Sequence, residues 1–175
     1  ADFVSRVNSD LVGKITNLAS RGAQMLHKRL EGQTGTMDAD GRELHARAVA
    51  RADNIAANYE ARDFSKVMTE IRDLADQANQ YFDTKAPWQL VKTDPESARQ
   101  VMTSVLNVFR VLTICLQPVL PAYALKVSRL FNEGEYTWDA LGKTIENARI
   151  NPYEYLATRV EQSAVDQMLA ASRLP

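Results

Sequence analysis

The sequence is short of nearly every residue that would announce a catalytic centre or a covalent framework. It holds one cysteine, Cys115, and two histidines, His27 and His45. A single cysteine excludes an intrachain disulfide. Cys115 stands in an apolar run with Val111, Leu112, Ile114 and Leu116, where a buried, inert thiol is expected, and one thiol is compatible with a reducing compartment. A metal site needs several ligands at matched spacing, whereas the two histidines are predicted to ride on different helices as partly exposed residues. Gly32 and Gly35 lack both the Gly-Lys-Ser/Thr ending and the preceding strand of a phosphate-binding loop. Neighbouring acids such as Asp73 and Asp76 read as solvated helix surface. No stretch reaches the roughly 20 apolar residues of a membrane-spanning helix, and no signal peptide is recognisable. Charge of neither sign dominates: the net charge is −1, so a role with nucleic acid must rest on a local patch.

What the chain does have is helical periodicity. Its 175 residues suffice to bury a core without disulfides or metal. Phe3, Val7, Leu11, Ile15, Leu18 and Met25 recur at helical spacing, and this long first helix should end near Leu30, before Gly32 and Gly35. A second is predicted from Asp40, with Glu43 completing a capping-box-like start, to about Tyr59. In the third, Asp63 can cap, and Phe64, Val67, Met68, Ile71, Leu74, Ala75 and Ala78 line one face. It must be over by Ala86, because residues before proline disfavour helical geometry. A turn, Ala86-Pro87-Trp88, follows.

Thr93-Asp94-Pro95-Glu96 signals another start. The helix behind it is apolar on most sides, which predicts a central, buried position. Pro118 and Pro121 break it, a further helix runs to about Phe131, and Gly134 ends it. Residues 135–151 read as an irregular connection, followed by short helical pieces from Pro152 to Ser172. The expected fold class is all-α: an antiparallel bundle of about five helices over residues 1–134. Residues 135–175 are expected to form a connection and a short helical C-terminal extension. The opening Ala1-Asp2-Phe3, without an initiator methionine, suggests a piece of a longer protein.

Two features bear on binding. Lys14, Asn17, Arg21, Gln24 and Lys28 are spaced three and four apart along the first helix, a polar, positive row that contains no acid. Trp88 directly follows Pro87 in a turn, where an indole can finish the core or serve as a stacking platform for an unpaired base.

Several segments, in order, resemble the anticodon-binding domain of bacterial-type methionyl-tRNA synthetases. They are Asp2-Phe3-Val4 with Arg6-Val7-Asn8; Lys14 with Asn17-Leu18-Ala19-Ser20-Arg21; Ile71 and Asp73-Leu74-Ala75-Asp76; Ala78-Asn79 through Tyr81 and Asp83 to Ala86-Pro87-Trp88; and Phe109-Arg110-Val111-Leu112 with Pro118-Val119-Leu120-Pro121. Thr137-Trp138, Asn151-Pro152 and the stretch from Tyr153 through Arg159 to Leu169 complete the match, the last resembling a peptide that folds back toward a catalytic domain. Residues 33–58 match no motif and read as scaffold.

The resemblance implies a non-catalytic helical domain that binds the CAU anticodon of methionine tRNA in the cytoplasm. By it, Asn17 and Arg21 contact the first anticodon base, a cytosine, and Trp88 stacks on that base with Pro87 as support. Arginine supplies donors and asparagine both donors and acceptors, which suits the pairing edge of cytosine. Lys14, Lys28 and Arg29 would touch the RNA backbone, while Asn79 and Asp83 would play a supporting part such as fixing the turn before Pro87. The family's catalysis needs ATP, magnesium and a zinc-bearing insertion, together with HIGH- and KMSKS-type signatures. None of those signatures occurs here, so no cofactor is expected in this chain, and its partners would be methionine tRNA and the catalytic domain of the same parent chain. Two other readings remain: a helical protein-interaction module, and the equivalent bundle of a valine, isoleucine or cysteine enzyme, against which the Asn17–Arg21 and Pro87–Trp88 pairs speak. The purified chain is expected to fold and to give no methionine-dependent ATP–pyrophosphate exchange; measurable exchange would reveal a catalytic centre missed by this reading.

Overall fold

The computed structural model describes Ser5 and residues 13–156. Among them, six α-helices follow one another: α1 (Thr16–Leu30), α2 (Ala39–Glu60), α3 (Phe64–Lys85), α4 (Pro87–Thr93), α5 (Pro95–Leu116) and α6 (Pro121–Leu130), with a 3-10 turn at Trp138–Ala140. Acids and prolines set the starts. Asp63 accepts the Lys66 amide at 3.2 Å, and Asp94 accepts the Ser97 amide at 3.2 Å. Pro87, Pro95 and Pro121 occupy first turns, where their missing N–H costs nothing.

Several expectations are corrected. The cap of α2 is Asp38, not Asp40: its carboxylate accepts the Gly41 amide at 2.7 Å, while Asp40 in the first turn reaches out to Lys85. The segment read as a turn at Pro87-Trp88 is the start of α4. Helix α6 stops at Leu130, with Asn132 in the left-handed region (φ 56°), so Asn132 and not Gly134 makes the reversal. Phe64, expected to line the core, is 52% exposed; at the first position of α3 it leans instead on the Tyr59 ring, 6.2 Å away. His45, expected to be partly exposed, is buried where α2 packs on α5. The helical pieces predicted after Pro152 fall mostly in residues 157–175, outside the described residues; residues 151–156 have no regular structure.

The arrangement centres on α5, against which α1, α2, α3, α4 and α6 all pack. Every residue from Val101 to Leu116 is buried, Cys115 included, whose thiol burial pushes up to about 12. Side-chain pairs give the directions. Asp40 meets Lys85, Arg51 meets Asp73 and Asn54 meets Glu70, so α2 and α3 are antiparallel. Lys14 meets Asp76 and Arg21 meets Asp83, so α1 and α3 run the same way. Gly41 is required by close approach: a Cβ there would collide with the Ser104 side chain on α5. Gly32, at φ +71°, reverses the chain after α1 with the His27 ring against its Cα.

Three polar side chains of α5, those of Thr103, Asn107 and Arg110, bond to the two irregular segments of the chain. Arg110, fully buried, donates to both carboxylate oxygens of Glu133 (2.7 and 2.8 Å) and to the carbonyls of Ala140 (2.7 Å) and Lys143 (2.8 Å). Asn107 accepts the Ile145 amide at 2.8 Å, and Thr103 accepts the Gly35 amide at 3.0 Å. Those segments also bond to each other. Thr34 donates its amide to the Ala148 carbonyl at 2.8 Å, and the Ile150 amide donates to Gly32 at 2.9 Å, beside an isolated antiparallel bridge between Gln33 and Arg149. Tyr136, Leu141, Ile145, Ile150 and Leu156 thereby join the same apolar core as the helices.

His45 carries a pH consequence. Burial, then the positive charge of Arg110, lowers its pKa; Arg42 acts the same way and Glu146 opposes. Its Nε2 is buried with no hydrogen-bond partner among the described residues. The folded state therefore holds a neutral imidazole where the unfolded chain takes up a proton near pH 6.5. The contribution to stability is complete above about pH 6.5 and is lost as the pH falls below it toward the depressed folded value. Urea midpoints should drop between pH 7.5 and pH 5.5, and His45→Leu should remove much of that drop; an unchanged pH dependence in the variant would show that His45 is not its source.

Candidate nucleic-acid interface

The polar row on α1 divides into two sets once its neighbours are in place. Lys14 and Arg21, seven apart, lean toward α3 and meet acids there: Lys14 Nζ lies 2.7 Å from Asp76, and Arg21 Nη2 lies 2.9 Å from Asp83. The row has no acid within α1, but α3 supplies them. Asn17, Gln24 and Lys28 form the outer ridge, all exposed and without side-chain partners among the described residues. Asn79 donates to the Lys14 carbonyl at 3.3 Å and to Ala75 at 3.0 Å. Asn79 and Asp83 thus hold α1 to α3, rather than bonding to the turn before Pro87.

That turn is fixed by backbone. Ala86 sits in the left-handed region (φ 47°, ψ 59°), with its amide on the Phe82 carbonyl at 3.0 Å, and its own carbonyl accepts the Gln89 and Leu90 amides. Pro87 is buried directly behind it. The preceding end of α3 is anchored by Lys85, whose ammonium lies 2.6 Å from Asp40 and 3.3 Å from Asp38, and by Tyr81, which donates to Asp38 at 2.7 Å. Burial works against the Asp38 charge, yet the hydrogen bonds from Tyr81, the Gly41 amide and Lys85 outweigh it and hold the carboxyl below its ordinary value. The bond to Asp40 leads the effects that hold Lys85 above its own.

Trp88 emerges from this turn onto Phe82, with ring centroids 5.8 Å apart and a 40° tilt, and remains 39% exposed. The Arg21 guanidinium lies 4.4 Å from the Phe82 centroid and 5.6 Å from that of Trp88. Arg21, Trp88, Pro87 and Asp83 are therefore brought together, with Asn17 one helical turn before Arg21 on the adjoining ridge. Lys28 and Arg29 lie at the far end of α1, exposed, roughly 10 Å along the axis from Arg21 at the rise of a helix. Phe82, buried beneath both Arg21 and Trp88, is the member that sequence reasoning missed; its place four residues after Ala78 on the buried face was the available signal. Among the described residues no group of three or more His, Cys, Asp or Glu is gathered to hold a metal ion. An exposed indole face, a guanidinium fixed beside it and a free amide one turn away can stack on a planar ring and read its polar edge.

A family model described as the anticodon binding domain of methionyl tRNA ligase matches residues 32–157. The chain belongs to this family. The methionine–tRNA ligase of Bdellovibrio bacteriovorus is 53% identical over 172 residues, covering 98% of this chain and 25% of its own length. That of Thiobacillus denitrificans is 46% identical over 176 residues, again covering 98% of this chain and 25% of its own. The chain thus spans about a quarter of the length of these curated relatives. A crystal structure of apo Mycobacterium tuberculosis methionyl-tRNA synthetase has the same fold, with a TM-score of 0.82 at 24% identity over 90% of this chain and 34% of that one. Membership of the methionyl-tRNA ligase family sets aside the unrelated interaction module and the valine, isoleucine and cysteine enzymes.

The placement of the two rings sets their separate costs. Phe82→Ala should destabilise the fold by about 3–5 kcal/mol, as loss of a buried aromatic does. Trp88→Ala should cost clearly less, because its ring is already part-solvated. Denaturant titrations of the two variants decide; an equal loss for Trp88 would make it a core residue.

Proposed function

We propose that this chain reads the CAU anticodon of methionine tRNA as the non-catalytic domain of a methionine–tRNA ligase. The observation that carries the reading is the cluster in which Arg21 is held beside the part-exposed Trp88 ring over Phe82, next to Asn17, which has no side-chain partner among the described residues. An anticodon loop presents unstacked bases whose pairing edges are open to side chains. In this reading, Trp88 stacks on the first anticodon base, Pro87 stiffens its support, and Arg21 and Asn17 bond to the cytosine edge. Lys28 and Arg29 contact the RNA backbone, while Lys14, Asn79 and Asp83 keep α1 and α3 in register. Attachment of methionine, with its ATP, magnesium and zinc, belongs to the catalytic portion of the parent chain. The protein acts in the cytoplasm.

The test is binding to an anticodon stem-loop bearing CAU against one altered at its first base. Arg21→Ala should weaken binding and relax the preference for cytosine, since a good base-edge contact is worth about 1–3 kcal/mol on the range known for DNA. Lys28→Ala should weaken both stem-loops about equally, as a phosphate contact does. Retention of the full cytosine preference in Arg21→Ala would overturn the assignment.

A further inference from the structure

The ridge of α1 has two flanks, and the functional reading uses only one. On the side away from α3, Thr16, Ser20 and His27 point to another set of partners. The Thr16 hydroxyl lies 3.0 Å from the Tyr123 hydroxyl in the first turn of α6. The Ser20 side chain lies near that of Tyr153, and His27 Nε2 lies 2.9 Å from the Ile150 carbonyl. Residues 150–153 and α6 therefore form the second wall beside Asn17 and Gln24. They are tied to each other through Asn151, whose amide N–H donates to the Leu130 carbonyl at 2.8 Å and whose side chain donates to the Arg129 carbonyl at 2.7 Å.

This wall differs from the α3 wall in charge. There, Lys14, just before α1, faces Asp76, and Arg21 on α1 faces Asp83. On α6, Lys126 and Arg129 are three residues apart on one face, both exposed, and neither has an acid within ion-pairing distance among the described residues. Both line a cleft of about 660 Å³ together with Asn151, Pro152, Glu154 and Tyr155, the last 77% exposed. Among the described residues Glu154 is the one acid that lines the cleft.

We propose that Lys126 and Arg129 on α6 form a docking track for the phosphates of the anticodon stem. This rests on the functional reading above. Neighbouring helices pack about 8–10 Å apart, so a duplex whose loop is read on the α1 ridge overhangs one flank or the other. The α3 flank presents paired charges to it, and the α6 flank presents cations with no acid partner among the described residues. Cations without acid partners are what a polyanionic backbone recognises, because binding there releases counterions, and such contacts orient the duplex while carrying no sequence information.

The test compares the wild-type chain with the double variant Lys126→Ala/Arg129→Ala on three probes: a CAU stem-loop, a stem-loop altered at the first anticodon base, and a single-stranded oligonucleotide of the loop alone. Both residues are exposed, so circular dichroism should match the wild type. The double variant should bind both stem-loops several-fold more weakly, with the preference for CAU unchanged. The slope of log K against log salt should become shallower by about 0.7–0.9 for each phosphate no longer neutralised. Binding of the loop strand should be unaffected, and exchanging chloride for phosphate at equal ionic strength should leave the wild-type affinity as it was. Unchanged stem-loop affinity and slope in the double variant overturns the track. Equal loss on the loop strand overturns it as well, by moving the two cations to the loop. Specific competition by phosphate overturns it in favour of a free-anion pocket. Failure of the wild type to bind any stem-loop overturns the functional reading and this proposal with it.

Discussion

A guanidinium sealed inside an apolar helix is the constraint from which much of this structure follows. Arg110 is fully buried and meets four acceptors, all of which come from residues 133–143. An uncompensated buried charge costs about 3–5 kcal/mol, so the chain after α6 has to run where it supplies those acceptors. Glu133 enters bidentate, Tyr136 donates to the same carboxylate at 2.9 Å, and its ring lies under the guanidinium. From there Asn107 takes the Ile145 amide, and Ala148 meets Thr34. The same run ends at Ile150 against His27 and Tyr153 against Ser20, so the rear of α1 is braced by a chain of contacts that begins at Arg110.

Local signals were legible and tertiary choices were not. The buried faces of α1 and α3 follow from their periodicity and the central place of α5 from its apolarity on most sides, and Asp63 and Asp94 cap because each bonds an amide three residues on, within reach of a local rule. Between Asp38 and Asp40 no local rule decides. Tyr81 and Ser104, distant in sequence, converge on Asp38, while Lys85 draws Asp40 outward. Proline at a first helical turn and proline in a bend look alike, so α4 read as a turn. Arg110 is the one charged residue between Val101 and Leu116, and nothing nearby in sequence marks Glu133 as its partner. For the site, the resemblance named Arg21 and Trp88, and their proximity depends on Phe82, a core residue whose ring lies under both.

Charge is distributed over the surface with the same economy of partners. Helix α3 is held from two sides: Asp76, Asn79 and Asp83 engage α1, and Glu70, Asp73 and Gln77 engage Asn54, Arg51 and Arg47 of α2. Exposed ion pairs contribute little individually. Their effect here is registration: pairs seven residues apart on both α1 and α3 fix the axial position of one helix on the other, and with it the separation of Arg21 from the turn that carries Trp88.

Helix α1 also divides its labour by face. Leu18, Ala19, Ala23 and Leu26 hold the core, Lys14 and Arg21 hold one neighbour, and Thr16, Ser20 and His27 hold the other. Asn17, Gln24 and Lys28 hold nothing within the described residues. Mutations on that ridge are therefore nearly silent for folding, since surface substitutions away from such contacts usually stay within about 0.5 kcal/mol. Evolution can alter the outward lettering of this helix while the bundle stays intact, so the surface a ligand meets and the scaffold that presents it are free to diverge at different rates.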